Sequence, residues 1–303
     1  MNARVGTLLR SRASAKTGTR AAKRTNPITR SLFYLLVLVI LVYTMFPLYW
    51  ALRSAITPDS QLFSTPIVYW PSHPTLENFR LVLSTPDFQH ALRNSTIIAV
   101  SVVLLSLIIG SLASYALGRF QFRGRQATLY LVLSMTIFPQ IAVLGSYYTL
   151  LTQFNLFNTI QGLILTYIVL VLPFTVWVLT SFFRAMPKDL EEAAYIDGAS
   201  PLQTFYKVML PLIAPGLVTT GLLAFISAWN EFLYALSFTA TPDKYTVPVA
   251  IANFTGQGGG NTFEFPWGQV MAATLVVTIP LIVLTLIFQR RILAGMTAGA
   301  VKG

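Results

Sequence analysis

The chain has no cysteine in its 303 residues, which excludes a disulfide frame, a thiolate metal site and a cysteine nucleophile. Charge is scarce as well: 10% of residues are charged, against about a quarter in an ordinary soluble domain. With 54% of the residues hydrophobic, that deficit argues against a water-soluble domain and for a membrane protein. Acids are the scarcer sign, 10 against 21 lysines and arginines, leaving a formal charge of +11. Such a charge would suggest nucleic acid or anionic lipid as partner if it were gathered on a soluble domain. It lies instead in the N-terminal tail and at the ends of apolar segments, so it reads as an orientation signal, and nucleic acid is not an expected partner. The two histidines, His73 and His90, stand apart with no clustered ligands, a poor start for a metal site. No G-x-x-x-x-G-K-[ST] occurs, so the chain does not hold ATP in a P-loop.

What is present is a series of long apolar runs. A spanning helix needs about 20 apolar residues at about 1.5 Å rise each. Six stretches qualify, roughly 31–52, 95–117, 127–151, 160–183, 212–236 and 270–291. Residues 1–30 hold Arg4, Arg10, Arg12, Lys16, Arg20, Lys23, Arg24 and Arg30 without an acid, and lack the apolar content to fold alone. The run that follows is too long for a signal peptide, so it reads as a retained first helix behind a basic tail. That tail, the loop with Arg119, Arg123 and Arg125, the loop at about 184–211, and the end with Arg290, Arg291 and Lys302 fall on one side. The positive-inside rule makes that side cytoplasmic, with both termini inside. The expectation is an all-α membrane protein of six transmembrane helices in the plasma membrane.

Several positions within this frame invite function. The first outer loop, about 53–94, contains Thr75 to Leu83, expected as an amphipathic helix with Leu76, Phe79 and Leu83 on one face. In the third span Phe138-Pro139-Gln140 predicts a kink, and Gln140 is costly in lipid unless it faces protein or a cavity. It is either a packing position or part of a pathway that Tyr147 and Tyr148 also line. The fifth span ends in Ala228-Trp229-Asn230-Glu231-Phe232, where Glu231 is the one acid expected inside a span, about five residues or roughly 7 Å from its outer end. It either bonds a neighbouring span or, with Asn230, borders a substrate path; Trp229 suits an interfacial anchor equally well. The last outer loop, about 237–269, carries Asn253-Phe254-Thr255-Gly256-Gln257-Gly258-Gly259-Gly260-Asn261, which by its glycines is a flexible connector.

The most informative stretch is Glu191 to Pro211, EEAAYIDGASPLQTFYKVMLP, a polar island between two apolar runs. Asp189, Glu191 and Glu192 fall in the first turn of a short helix, where the helix dipole favours acids. Gly198 marks its end and Ser200-Pro201 the start of a second helix. From there Leu202, Phe205, Tyr206, Met209 and Leu210 recur at helical spacing, predicting a helix that re-enters the membrane. The result is a water-side knob fixed to the bundle.

Glu192-Ala193-Ala194, three residues, Gly198, nine residues, then Val208-Met209-Leu210-Pro211 resembles the EAA signature of permease subunits in ATP-binding-cassette importers, departing in Val208 where isoleucine is usual. In that family the segment is the coupling helix that docks on an ATPase. The resemblance extends from Ser31 onward to the MalG-like branch of carbohydrate importer permeases, with Trp229-Asn230-Glu231-Phe232, Pro248 to Gly256 and the terminal run from Gln289 looking closest to trehalose-importing mycobacterial relatives. It implies a MetI-like bundle that carries maltose, trehalose or a related α-glucoside. It also implies a MalF-like second permease, two ATPase subunits holding ATP and Mg, and an extracytoplasmic sugar-binding protein, with no cofactor on this chain. Glu191, Glu192, Ala193, Ala194, Asp197, Gly198, Leu210 and Pro211 would couple to the ATPase. The loop Asn253, Thr255, Gly256, Gln257, Gly258, Gly259, Gly260 and Asn261 would be the scoop that reaches into the binding protein. A secondary transporter using Glu231 is the rival class, but no inverted repeat is visible. A membrane-embedded enzyme would need a catalytic pair or metal cluster within the spans, and none is visible.

Overall fold

The computed structural model describes residues 27–254 and 265–300, with backbone alone for Asp59 and 290–300. The basic tail before Pro27 and the loop residues Thr255 to Asn261 lie outside the described residues. The chain forms two units, 1–48 and 49–303. The Pro27–Ala55 helix, whose residues to Leu48 belong to the first, starts at proline, whose missing N–H costs nothing in a first turn, and leaves apolar side chains such as Leu36, Val39 and Val42 exposed.

In the second unit Pro86–Arg119, Ile160–Ala185 and Trp267–Gln289 are each long and apolar enough to span a membrane. With Pro27–Ala55 these are four candidate spans, and two bent pairs bring the number to six if each pair is one span: Arg125–Ile137 with Gln140–Gln153, and Pro201–Leu212 with Ala214–Trp229. The third span is therefore broken, by 95°, where a kink was expected. The cause is local. Phe138, which precedes proline, and Pro139 both take extended backbone, and no helix passes through two such residues. The fifth span likewise bends by 77° at Ile213 and stops at Trp229 rather than running to 236.

The core of this unit is the pairing of Pro86–Arg119 with Ile160–Ala185. Ser106, Gly110, Ser114 and Gly118 recur every fourth residue and let the two backbones approach. A Cβ on Gly110 would stand 2.6 Å from Thr175 Cγ2, and one on Gly118 would stand 2.8 Å from Phe183 Cβ. The Ser114 hydroxyl donates across the seam to the Val176 carbonyl at 2.9 Å. Trp229, Tyr234 and Phe238 pack with Ile98, Val102, Leu163 and Tyr167 at one end, and Tyr115, Leu179, Phe183, Phe205 and Met209 fill the other.

The amphipathic outer helix runs Glu77–Ser84, but its buried face differs from the expected one. Leu76 and Leu83 are exposed, whereas Asn78 and Val82 are buried. The reason is a bond that apolar periodicity does not weigh: Asn78 Nδ2 donates to the carbonyls of Ala55 and Thr57, which end the preceding helix, at 3.0 and 3.3 Å.

Candidate functional site: the polar knob and the outer-half cluster

The polar island folds as a helix-turn-helix. Asp189–Ile196 ends at Gly198, whose φ of +81° is the left-handed region that glycine enters without strain. The Gly198 amide donates to Tyr195 O at 3.0 Å and the Ala199 amide to Ala194 O at 2.9 Å, the paired bonds of a Schellman stop. Ser200 then opens Pro201–Thr204 with a capping box: its hydroxyl accepts from the Gln203 amide, and the Gln203 side chain accepts from the Ser200 amide. Five residues later the helix widens into a π turn, Phe205–Met209. Phe205 and Met209, at the two ends of that turn, are buried while Leu202 and Tyr206 are exposed, so only part of the expected apolar face is buried.

The acids of the knob separate into two roles. Glu192 and Asp197 are exposed, along with Ala193 and Ile196, the latter at 85%. Glu191 instead turns inward. Its Oε2 accepts from Arg119 Nε at 2.7 Å and lies 2.6 Å from Arg119 Nη2, and the pair is largely buried. The same guanidinium donates to the carbonyls of Phe183 and Met186 at 3.2 and 2.9 Å, which end the helix before the knob. Arg119 was read as one charge among several in an orientation count, yet it locks three elements together. Its position as the last residue of an apolar span, opposite an acid-rich loop, was the available signal. Ala194 is buried, Leu210 is half-buried, and Pro211 is exposed beside the 77° bend.

At the other end, the structure brings some of the expected path residues together. Glu231 is 7% exposed and sits in the gap between Ala214–Trp229 and the short helix Leu233–Phe238. Its two oxygens accept from the amides of Tyr234 and Ala235 at 2.8 and 3.1 Å, so the carboxylate caps the new helix start. Tyr167 lies within electrostatic reach of it. The Tyr234 ring meets that of Tyr147 edge to face at 5.7 Å. Gln140 is half-buried two turns before Tyr147 on the same face of its helix. Asn230 points elsewhere: it is exposed, and its Nδ2 donates to Ile226 O at 2.9 Å. Trp229 is buried and donates from Nε1 to Val277 O at 3.3 Å, which rules out the interfacial anchor. Of the scoop candidates, Asn253 is exposed at the end of Val247–Ala252 and the rest lie outside the described residues.

The second unit thus combines two bent apolar helix pairs with a polar helix-turn-helix knob. The chain belongs to the family of binding-protein-dependent transport system inner membrane components, whose pattern matches residues 103–297. Among its relatives are the trehalose/maltose transport system permease protein MalG of Thermococcus litoralis and the trehalose transport system permease protein SugB of Mycobacterium tuberculosis. The first is 42% identical over 92% of this chain and 99% of that protein, the second 44% identical over 86% and 93%. The sulfoquinovosyl glycerol transport system permease protein SmoH of Agrobacterium fabrum is 39% identical over 88% and 91%. In fold, a bacterial transporter that imports the acidic polysaccharide alginate superposes with a TM-score of 0.77, at 22% identity over 88% of this chain and 97% of that one. The protein is thus a permease subunit of a binding-protein-dependent ABC sugar importer, a multi-pass inner membrane protein and not itself an enzyme.

Proposed function

We propose that this permease imports trehalose, maltose or a related α-glucoside. The observation that carries the sugar is the pair of relatives at 42% and 44% identity, both of which bear trehalose in their names. The chain pairs with a MalF-like second permease and with two ATPase subunits that hold ATP and Mg, and it receives sugar from an extracytoplasmic binding protein. Both termini and the knob are cytoplasmic. The exposed Glu192, Ile196 and Asp197 meet the ATPase, and the Arg119–Glu191 lock carries the motion of that surface into the bundle as ATP closes the ATPase pair. The bundle then switches between two packings, inward-facing and outward-facing. Gln140, Tyr147 and Glu231 border the path, and Asn253 to Asn261 reach the binding protein.

The test is ATP hydrolysis by the co-expressed complex in lipid, with binding protein loaded in turn with trehalose, maltose, longer glucosides and sulfoquinovosyl glycerol. Stimulation by the α-glucosides alone is expected. Stimulation by sulfoquinovosyl glycerol in their place would assign a different sugar. Solute movement by the chain without any ATPase would replace the importer with a secondary transporter.

A further inference from the structure

The Pro86–Arg119 helix ends in a recess of about 670 Å³ lined by Phe122, Gly124, Arg125, Gln126, Ala127 and Arg184. The two arginines come from different spans and both line the recess, where Arg125 stands as a like charge near Arg184. Among the described residues neither makes an ion pair, and the acid on this side that faces the bundle, Glu191, is taken by Arg119. Their donors are only partly used. Arg125 donates to Phe120 O at 3.3 Å and to Gly118 O at 3.0 Å, while its Nε is buried without an acceptor. Arg184 donates to Leu117 O at 3.5 Å. A guanidinium offers five N–H donors, so most of this cationic surface is unspent. The recess also takes in the start of Arg125–Ser134, a ten-residue helix whose N-cap, Gly124, brings no side-chain acceptor, so first-turn amides add to the positive end. Phe122 stands half-exposed in the lining beside the cations, an apolar edge next to the charge.

We propose that this recess binds the phosphate of an anionic phospholipid, holding it between Arg125 and Arg184 with the acyl chains leaving past Phe122. The side is fixed by covalent proximity, because Arg184 lies five residues before the Asp189–Ile196 helix of the knob. That the leaflet is cytoplasmic rests on the orientation proposed above. A soluble phosphate would use the same cations but not the Phe122 edge, and the level of the span ends is where headgroups lie.

The experiment is native mass spectrometry of the full co-expressed complex, released from vesicles of phosphatidylcholine with or without phosphatidylglycerol and cardiolipin. The wild-type complex is expected to retain anionic lipid. The double variant R125Q/R184Q should weaken that retention by roughly tenfold or more. Gln126→Glu is the safeguard against a folding defect: it leaves both arginines on their carbonyls, suits a helix start, and puts a carboxylate at the rim, so it should weaken retention as well. Arg93→Gln, in the first turns of the Pro86–Arg119 helix and at its far end from the recess, should leave retention unchanged. Equal retention in wild type and in Gln126→Glu would overturn the proposal. So would displacement of the lipid by millimolar inorganic phosphate, which would make the recess a soluble-anion site. Loss of the ATPase subunits with lipid retention intact would make it a protein contact. The readout is independent of transport, so it stands or falls apart from the choice of sugar.

Discussion

At the scale of single residues, the strongest constraint is the buried Arg119–Glu191 pair. Removing one partner leaves the other charge buried, which typically costs about 3–5 kcal/mol. Arg119→Ala should therefore lower the thermal unfolding midpoint of the purified complex well below that of Glu191→Gln, which keeps an acceptor for Nε. Equal midpoints would mean that the carbonyl bonds of Arg119 are expendable. Glu231 is held by the amides of Tyr234 and Ala235. Glu231→Ala loses both bonds, each worth about 1.5–3 kcal/mol to a charged acceptor, whereas Glu231→Gln keeps one. Sugar uptake should fall more in the alanine variant, with the complex still assembled on size exclusion; wild-type uptake in both would detach Glu231 from the path. Outside the spans, the Asp243 carboxyl is pulled below its ordinary pKa, first by the Thr241 hydroxyl and then by Lys244. A depressed pKa means that the contribution is present above the usual carboxylate value of about 4 and fades as pH falls through the lower folded value. Hydrogen exchange at residues 241–246 should quicken below that point, and Asp243→Asn should flatten the response. Sequence placed Glu231 as an acid in need of a partner but could not supply it, because the partner is a helix start that exists only once the span has ended at Trp229.

At the scale of elements, turns and seams decide. Gly198 has open space around its missing Cβ, so the difficulty for any side chain there is backbone strain. A β-branched residue at φ +81° is expected to cost more than about 1–2 kcal/mol, and asparagine, which tolerates that region, less. In the proposed importer Gly198→Val should keep basal ATP hydrolysis and lose sugar-stimulated uptake, and Gly198→Asn should retain most of it. Normal uptake by the valine variant would sink the lever. Gly118→Ala meets Phe183 Cβ, an atom fixed to the backbone, and overpacking of this kind costs about 1–3 kcal/mol. Gly145→Ala has nothing within 4 Å and serves as the control, so the difference in unfolding midpoint reads the seam alone. The knob was legible because its punctuation, Gly198 and Ser200-Pro201, is local chemistry. The π turn was not, since one extra residue in a turn leaves no mark on the apolar pattern of Leu202 to Leu210. The every-fourth-residue run from Ser106 to Gly118 was in plain view, but small residues leave no mark on a hydropathy profile.

At the scale of the whole molecule, the six apolar runs correspond to four continuous span-length helices and two bent pairs, because length and composition are all that a lipid core demands. They did not give the breaks, which depend on two adjacent residues rather than on an average over twenty. The break in the third span has a consequence for the assembled importer. Its halves, Arg125–Ile137 and Gln140–Gln153, meet at a right angle, so the carbonyl pole of one and the amide pole of the other share a corner at membrane depth. Hydrocarbon has nothing to offer those groups. Placing the corner at Phe138 and Pro139 within a bilayer therefore requires water or protein beside it to satisfy those groups.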